Sequence, residues 1–284
     1  MPELPEVETI RLQLQKYLIG HKIIGVDVKV SKIFSGNPKD LVGAKIVDIR
    51  RFAKVLSIDL SNSYSIVIHI KLTGQLIYRG PKLSREAGLQ LSKKIVGGVP
   101  GSHTHVVFEL DYGGFLYYND IRRFGWIRTV KSDKLKEISF LGELGPEPFK
   151  DLTFEYFSNL LSKTSRAIKV VLMDQTKIGG IGNIYANDAL WLSKINPKKE
   201  SNKLSSKEMK NLYKAIHEVL KSGLKYGGAS ELAFVTPDGK EGEYQNHTLV
   251  YGHEGDICKR CRKTKLNKYF LGGRGTYWCS NCQK

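Results

Sequence analysis

The sequence predicts an α+β multidomain chain: an N-terminal helix followed by an antiparallel β-sandwich, then a helical domain, then a small cysteine-stapled β-hairpin. Three observations carry this. Apolar residues recur first at helical spacing and then, from Ile23 to about Val130, at period two. Helical spacing returns after the connector Leu141-Gly-Glu-Leu-Gly-Pro-Glu-Pro148, and every cysteine falls within the last part of the chain.

Each element follows in order. Residues 5–18 read as a helix, with Pro5 suited to its first turn and Val7, Ile10, Leu14 and Leu18 on one stripe; Gly20 ends it. Ile24, Val26, Val28 and Val30 alternate with polar or small residues, as do Ile66, Ile68, Ile70 and Leu72. Val106-Val107-Phe108 and Phe115-Leu116-Tyr117 form a further pair joined by the turn Asp111-Tyr112-Gly113-Gly114. Residues 79–104 are long for a hairpin loop and read as an insertion. Helices are expected over 153–162, 166–174, 183–192 and 206–225, the last opening on the capping box Ser205-x-x-Glu208. Residues 226–247, rich in glycine and polar residues, read as a mobile loop. The expected domains are 1–135 (N-terminal sandwich), 136–150 (linker), 151–247 (helical, including that loop) and 248–284 (the hairpin).

Charge narrows the partner. The chain has 45 Lys and Arg against 28 Asp and Glu, a net charge of +17. Such an excess favours a polyanion, most often nucleic acid. A membrane surface is the alternative, but no basic amphipathic helix with an aromatic face is present. No apolar run approaches the ~20 residues of a membrane span. The N-terminus begins with acids and prolines rather than a charged segment and an apolar core, so a cytoplasmic protein is expected.

The cysteines form Cys258-x2-Cys261-x17-Cys279-x2-Cys282. Two close thiol pairs on facing turns match tetrahedral zinc ligation, and one structural Zn2+ is the expected cofactor, making this segment a zinc finger. Two redox-active pairs are the alternative. Eight basic residues and no acids lie between Ile257 and Lys284, which suits a phosphate-facing element.

Two further motifs carry chemistry. The chain opens Met1-Pro-Glu-Leu-Pro-Glu6. Removal of Met1 would leave Pro2 as a secondary amine, titrating near pH ~7.7–8.0 and able to attack an electrophilic carbon to form an iminium. Glu3 and Glu6 lie beside it as proton donors or acceptors. The plainer alternative is that Pro2 and Pro5 only start a helix. The second motif, Lys177-Ile-Gly-Gly-Ile-Gly-Asn-Ile-Tyr-Ala-Asn187, lies between two helices, a helix–two-turns–helix arrangement. Its glycines each cost about 1 kcal/mol in a helix relative to alanine, so their use is close approach of backbone. Gly182 and Asn183 open a helix whose free amides suit a phosphate.

The opening Met1–Arg11, the turn Gly180–Asn187 and the cysteine hairpin with Gly273-Arg-Gly-Thr276 occur together and in order. With them the chain resembles the bacterial formamidopyrimidine-DNA glycosylases from end to end. The resemblance implies a bifunctional DNA glycosylase/AP lyase that removes oxidised purines from duplex DNA, and a nucleoid-associated monomer. It implies Pro2 as the nucleophile, Glu3 as the proton donor to the opened sugar, Glu6 as support of the N-terminus, and Lys54 beside the damaged base and its phosphate. It places Leu72, Arg122 and Phe124 in the space left by an extruded base. It assigns DNA contacts to His103, Asn183 and Arg274, and capping of the extruded base to the 226–247 loop. The chain departs from the family in its cysteine spacing of 17 where sixteen is usual, which predicts a bulge in the hairpin upstream of Arg274. It also departs in the loop sequence Ala229-Ser-Glu-Leu-Ala233 and the long 79–104 segment. An endonuclease VIII-like enzyme is the related alternative, and a non-catalytic damage-binding protein the alternative from another class.

Overall fold

The computed structural model describes residues 1–83 and 91–284; the rest of the expected 79–104 insertion, residues 84–90, lies outside the described residues. The chain forms two compact units, Met1–Gly142 with Tyr226–Gln245, and Glu143–Lys225 with Asn246–Lys284.

The first unit opens on α1 (Leu4–Leu18), with Pro5 in its first turn and Val7, Ile10, Leu14 and Leu18 buried along one stripe. The strands are β1 (Ile23–Val28), β2 (Phe34–Ser35), β3 (Ile46–Phe52), β4 (Val55–Leu60), β5 (Tyr64–His69), β6 (Gly74–Arg79), β7 (Thr104–Leu110), β8 (Gly114–Asp120) and β9 (Trp126–Lys131). They make two sheets, ordered β1-β7-β8-β6 and β2-β9-β5-β4-β3. All pairings are antiparallel except the two-residue β2–β9 match. Ile23, Leu76, Phe108, Leu116 and Tyr118 of one sheet share a core with Ile49, Ile58, Ile66, Ile68 and Ile127 of the other and with the α1 stripe. This is the expected sandwich.

Two strand expectations change. Ile24 was expected to share a face with Val26 and Val28, yet it is 50% exposed while Ile23 is buried. A bulge between Ile23 and Gly25 switches the face, as one extra residue must in a period-two pattern. The run Ile66–Leu72 does not continue to Leu72. The strand ends at His69, and Lys71 (φ +49) turns the chain so that the Gly74 amide donates to the Ile70 carbonyl at 2.9 Å. A Cβ on Gly74 would stand 2.4 Å from that oxygen, so only glycine fits.

The 226–247 loop also departs from expectation. Residues 226–245 belong to the first unit, not to the helical one, and most of the loop is packed rather than solvated. Phe234 joins the sandwich core, Val235 packs with Ile77 and Tyr117, and the Tyr78 amide donates to the Pro237 carbonyl at 2.8 Å.

In the second unit, α2 (Phe154–Ser162), α3 (Ile168–Leu172), α4 (Asn183–Leu192) and α5 (Ser206–Lys225) match the expected helices. The Ser205/Glu208 capping box forms, at 2.9 and 3.3 Å. The terminal hairpin pairs β10 (Asn267–Leu271) with β11 (Arg274–Trp278). Its register is continuous through a two-residue Gly272-Gly273 turn at φ +57 and +71. Both central residues at positive φ are what a tight hairpin needs. The expected bulge is therefore absent from the paired strands of the hairpin. No helix among the described residues is long and apolar enough to cross a membrane.

Candidate active site and nucleic-acid interface

At the start of α1, Pro2, Glu3 and Glu6 are buried. The Glu6 carboxylate bridges two backbones. One oxygen accepts the Glu3 amide at 2.7 Å, closing the capping box, and the other accepts the Ala229 amide at 2.7 Å. One acid thus ties the residues carrying Pro2 to the base of the 226–245 loop. Gly228 (φ +85) sits against it, with space for a Cβ only 2.7 Å from Glu6 Cγ.

Lys54 follows Ala53 (φ +51) in the β3–β4 turn and is 2% exposed. Arg51 secures that turn, donating to the Ala53 carbonyl at 2.9 Å and to Glu8 of α1 at 2.8 Å. Hydrogen bonds from Arg11 and Arg51 outweigh burial and hold the Glu8 carboxyl below the usual range.

Leu72 is half-buried in the β5–β6 turn. Its neighbour Thr73 donates to Asp120 and accepts the Arg122 amide at 3.1 Å. Asp120 is fully buried and also accepts the amides of Arg122 (3.2 Å) and Gly125 (2.8 Å). A single carboxylate therefore shapes the 121–125 loop and joins it to the Leu72 turn. The loop presents Phe124, 54% exposed, with the Arg122 guanidinium 4.6 Å from its ring. Gly125 is required there, since a Cβ would stand 1.8 Å from the Tyr118 hydroxyl. His103 precedes β7, its carbonyl accepting the Asp120 amide at 3.0 Å.

His69, just before this turn, packs on Trp126 and Phe140 and accepts the Lys71 amide on Nδ1 at 3.1 Å. Burial, with Lys71 and Lys54 nearby, pushes its pKa down to about 3, so the ring is neutral at working pH.

In the second unit, Asn183 opens α4 and Arg274 stands exposed at the tip of the hairpin. Asn187 links them: its amide donates to the Asn183 carbonyl at 2.6 Å while its oxygen accepts the Tyr277 amide at 2.8 Å. Lys169, fully buried, donates to the Gly275 carbonyl and the Thr276 hydroxyl, both at 2.8 Å. A groove of about 300 Å³ lined by Arg166, Lys169, Val170, Leu271 and Arg274 runs beside the hairpin.

The four cysteine sulfurs lie within 4.8 Å of one another, with Cys258–Cys282 and Cys261–Cys279 both at 3.8 Å. Tetrahedral ligation at ~2.3 Å from metal to sulfur requires S···S separations of roughly 3.8 Å, so the geometry fits a metal-binding cluster. Amide donors from Lys263 and Thr264 hold the Cys261 thiol down at about 5, and burial pushes Cys282 up to about 12. A coordinated cation deprotonates such thiols outright. Trp191, Val250 and Leu266 pack beneath the cluster, and Asp188 accepts the amides of Leu249, Val250 and Tyr251 to shape its approach.

Each unit thus gathers its own share of the expected residues: Pro2, Glu3, Glu6, Lys54, Leu72, His103, Arg122 and Phe124 in the first, Asn183, Arg274 and the cysteines in the second. Sequence reasoning missed the residues that hold these, chiefly Asp120, Lys169 and Asn187. Asn187 ends the glycine-rich motif, and Asp120 stands two residues before Arg122. Lys169 had no signal beyond being a lysine on an apolar helix.

Comparison with known proteins agrees with this geometry. Residues 1–127 match the model of the formamidopyrimidine-DNA glycosylase N-terminal domain, and residues 144–234 that of the formamidopyrimidine-DNA glycosylase H2TH domain. Formamidopyrimidine-DNA glycosylases of Pelotomaculum thermopropionicum and Rickettsia conorii are each 38% identical over all of this chain and 99% of their own length. Among solved structures, the Lactococcus lactis Fpg in complex with DNA containing an abasic site superposes with a TM-score of 0.86 at 32% identity, covering 99% of both chains. MutM (Fpg) of Thermus thermophilus superposes equally well, at 32% identity over 99% of this chain and 98% of that one. Domain models over both units, relatives aligned along the full length and the same fold throughout lead to one conclusion: the chain belongs to the formamidopyrimidine-DNA glycosylase family.

Proposed function

We propose that this protein is a DNA glycosylase and AP lyase of base-excision repair, removing oxidised purines such as 8-oxoguanine and formamidopyrimidines from damaged duplex DNA. The observation that carries this reading is the N-terminus of α1, where a buried carboxylate fixes the backbone beside Pro2. After loss of Met1, the Pro2 amine attacks C1′ of the damaged nucleotide. The glycosidic bond breaks, the base leaves with a proton, and C1′ becomes an iminium with Pro2. Glu3 protonates the opened sugar, and β- and δ-elimination then release the two phosphates. Lys54 supplies positive charge beside the reacting nucleotide. Leu72, Arg122 and Phe124, grouped by Thr73 and Asp120, occupy the space of the extruded nucleotide, with Arg122 offering several fixed donors to the orphaned base. His103, Asn183 and Arg274 hold phosphates.

The ion held by the four thiolates is Zn2+. It is structural, because four protein ligands leave no position for substrate. The protein works as a monomer in the cytoplasm, on the nucleoid.

The test is borohydride trapping on an 8-oxoguanine:cytosine duplex. A covalent adduct is expected with the wild type and none once the Pro2 amine is blocked, while DNA binding persists. An adduct formed equally by the blocked protein would remove Pro2 from the mechanism. A preference for thymine glycol over 8-oxoguanine in the same assay would favour the endonuclease VIII-like reading.

A further inference from the structure

The segment Leu91–Ile95, part of the insertion, is bonded to the 226–245 loop through Ser92 and Lys94. The Ser92 amide donates to the Gly239 carbonyl at 2.9 Å, and its hydroxyl donates to Glu241 Oε1 at 2.6 Å. Lys94 Nζ donates to Glu241 Oε2 at 2.6 Å and to the Ser230 carbonyl. The Gln75 side-chain amide spans the two segments, donating to the Lys94 carbonyl at 2.9 Å and the Ala233 carbonyl at 2.7 Å. Ile95 packs in one cluster with Val235.

These bonds fall at chosen places. Ser230 and Ala233 flank Glu231 and Leu232, which are exposed, Leu232 by 62%. Residue 229, just before them, rests on Glu6, whose other oxygen holds the Glu3 amide. The chain of contacts therefore runs from the insertion, through the loop, to the backbone next to Pro2. A lone surface ion pair is worth little. Here the pair is one of several bonds that converge on a loop whose Gly227, Gly228 and Gly239 all have positive φ and whose backbone would otherwise have many conformations. The Lys94 hydrogen bond, and then that of Ser92, keep the Glu241 carboxyl below its usual range, so Glu241 is a carboxylate at neutral pH.

We propose that the 91–95 segment is a strap that holds residues 229–241 in the shape required for base removal, with Lys94 as the positioning residue. This rests on the proposed glycosylase reading and adds to it. A displaced base leaving C1′ beside Pro2 must lie near the loop whose base sits on Glu6. An abasic sugar has no base to hold. Loosening the strap therefore slows removal of a damaged base and spares cleavage of a preformed abasic site.

The experiment compares wild type, Lys94→Met, Glu241→Gln, Lys94→Arg and the swap Lys94→Glu/Glu241→Lys, on an 8-oxoguanine duplex and on an abasic-site duplex. Hydrogen exchange of the 229–236 amides is followed in parallel. Lys94→Met is expected to lose roughly 10-fold in kcat/KM for base removal, below the ~100-fold that a 1 Å misplacement costs. Abasic-site cleavage should be unchanged and the loop amides should exchange faster. Lys94→Arg and the swap should recover most of the loss. Equal losses on both substrates, or no change in exchange, would overturn the strap. If the wild type removes no base, the glycosylase reading fails, while the exchange data still decide whether the strap exists. Should Lys94→Met fold poorly, Glu241→Gln, which keeps an acceptor, reads the same contact.

Discussion

Two surfaces of the molecule each present an arginine at a turn, and they hold it by different means. The 121–125 loop depends on one buried group. Asp120 accepts from Thr73 and from the Arg122 and Gly125 amides, and residues 121–125 lie outside the strands. The hairpin tip with Arg274 is held redundantly, by continuous strand register, by Lys169 and Asn187 from two helices, and by the cysteine cluster at its base. Irregular backbone needs a local acceptor for its amides, because an unmet buried polar group costs about 1–3 kcal/mol. A regular hairpin satisfies its own amides, so its supports only need to orient it.

The comparison can be broken most forcefully at Asp120. Asp120→Ala leaves several amide and hydroxyl donors without their acceptor. It should cost about 3 kcal/mol in urea unfolding and abolish lesion cleavage. A loss under ~1 kcal/mol would show that the loop is held by something else. Next is Cys258→Ser. It should lose the bound metal, measured by metal analysis, and weaken DNA binding strongly while the sandwich stays folded. Unchanged affinity would make the hairpin dispensable. Smaller still is Lys169→Met, which keeps the volume but not the donors. Stability should fall by about 1 kcal/mol, since the Gly275 carbonyl and Thr276 hydroxyl lose the lysine donor while the desolvation of a buried ammonium is relieved. DNA affinity should fall by roughly 5-fold, within the scale of one hydrogen-bonded contact. Equal affinity would leave Arg274 oriented by the strand register alone.

The effect that is smallest at neutral pH emerges only in acid. His69 has a folded pKa of about 3, below its ordinary 6.5, so the unfolded chain binds the extra proton between those values. Stability is therefore full above pH 6.5 and lost as pH falls from there towards 3. Thermal melts of His69→Asn should lose less stability over that window than the wild type. Parallel curves would show that the ring is not held neutral.

Much of the fold was legible because each element repeats a period. The α1 stripe, the sandwich strands and the helices of the second unit all appeared where their apolar spacing put them. What was missed were single events inside a period. The bulge at Ile23/Gly25 left Ile24 outside, the Lys71 turn ended a strand that apolar spacing carried on to Leu72, and the hairpin lacked the bulge that its cysteine spacing suggested. Each depends on one φ value or one carbonyl, which spacing does not encode. The loop 226–247 was misread for a related reason. Glycines and polar residues look solvated in a list, but Phe234 and Val235 lie in cores built by distant strands.

The sequence by itself determined the types of chemistry available: an N-terminal proline beside two acids, a tetrahedral thiol set, a basic excess and the order of the domains. Those follow from residue identity and short-range spacing. Only the tertiary structure decided which groups position which. Glu6 meets Ala229 across more than two hundred residues, Lys94 meets Glu241, Asp120 meets Thr73 and Lys169 meets Thr276. Such contacts arise when packing brings a buried polar group to the nearest unmet donor or acceptor, and that neighbour is chosen by the fold rather than by position in the chain.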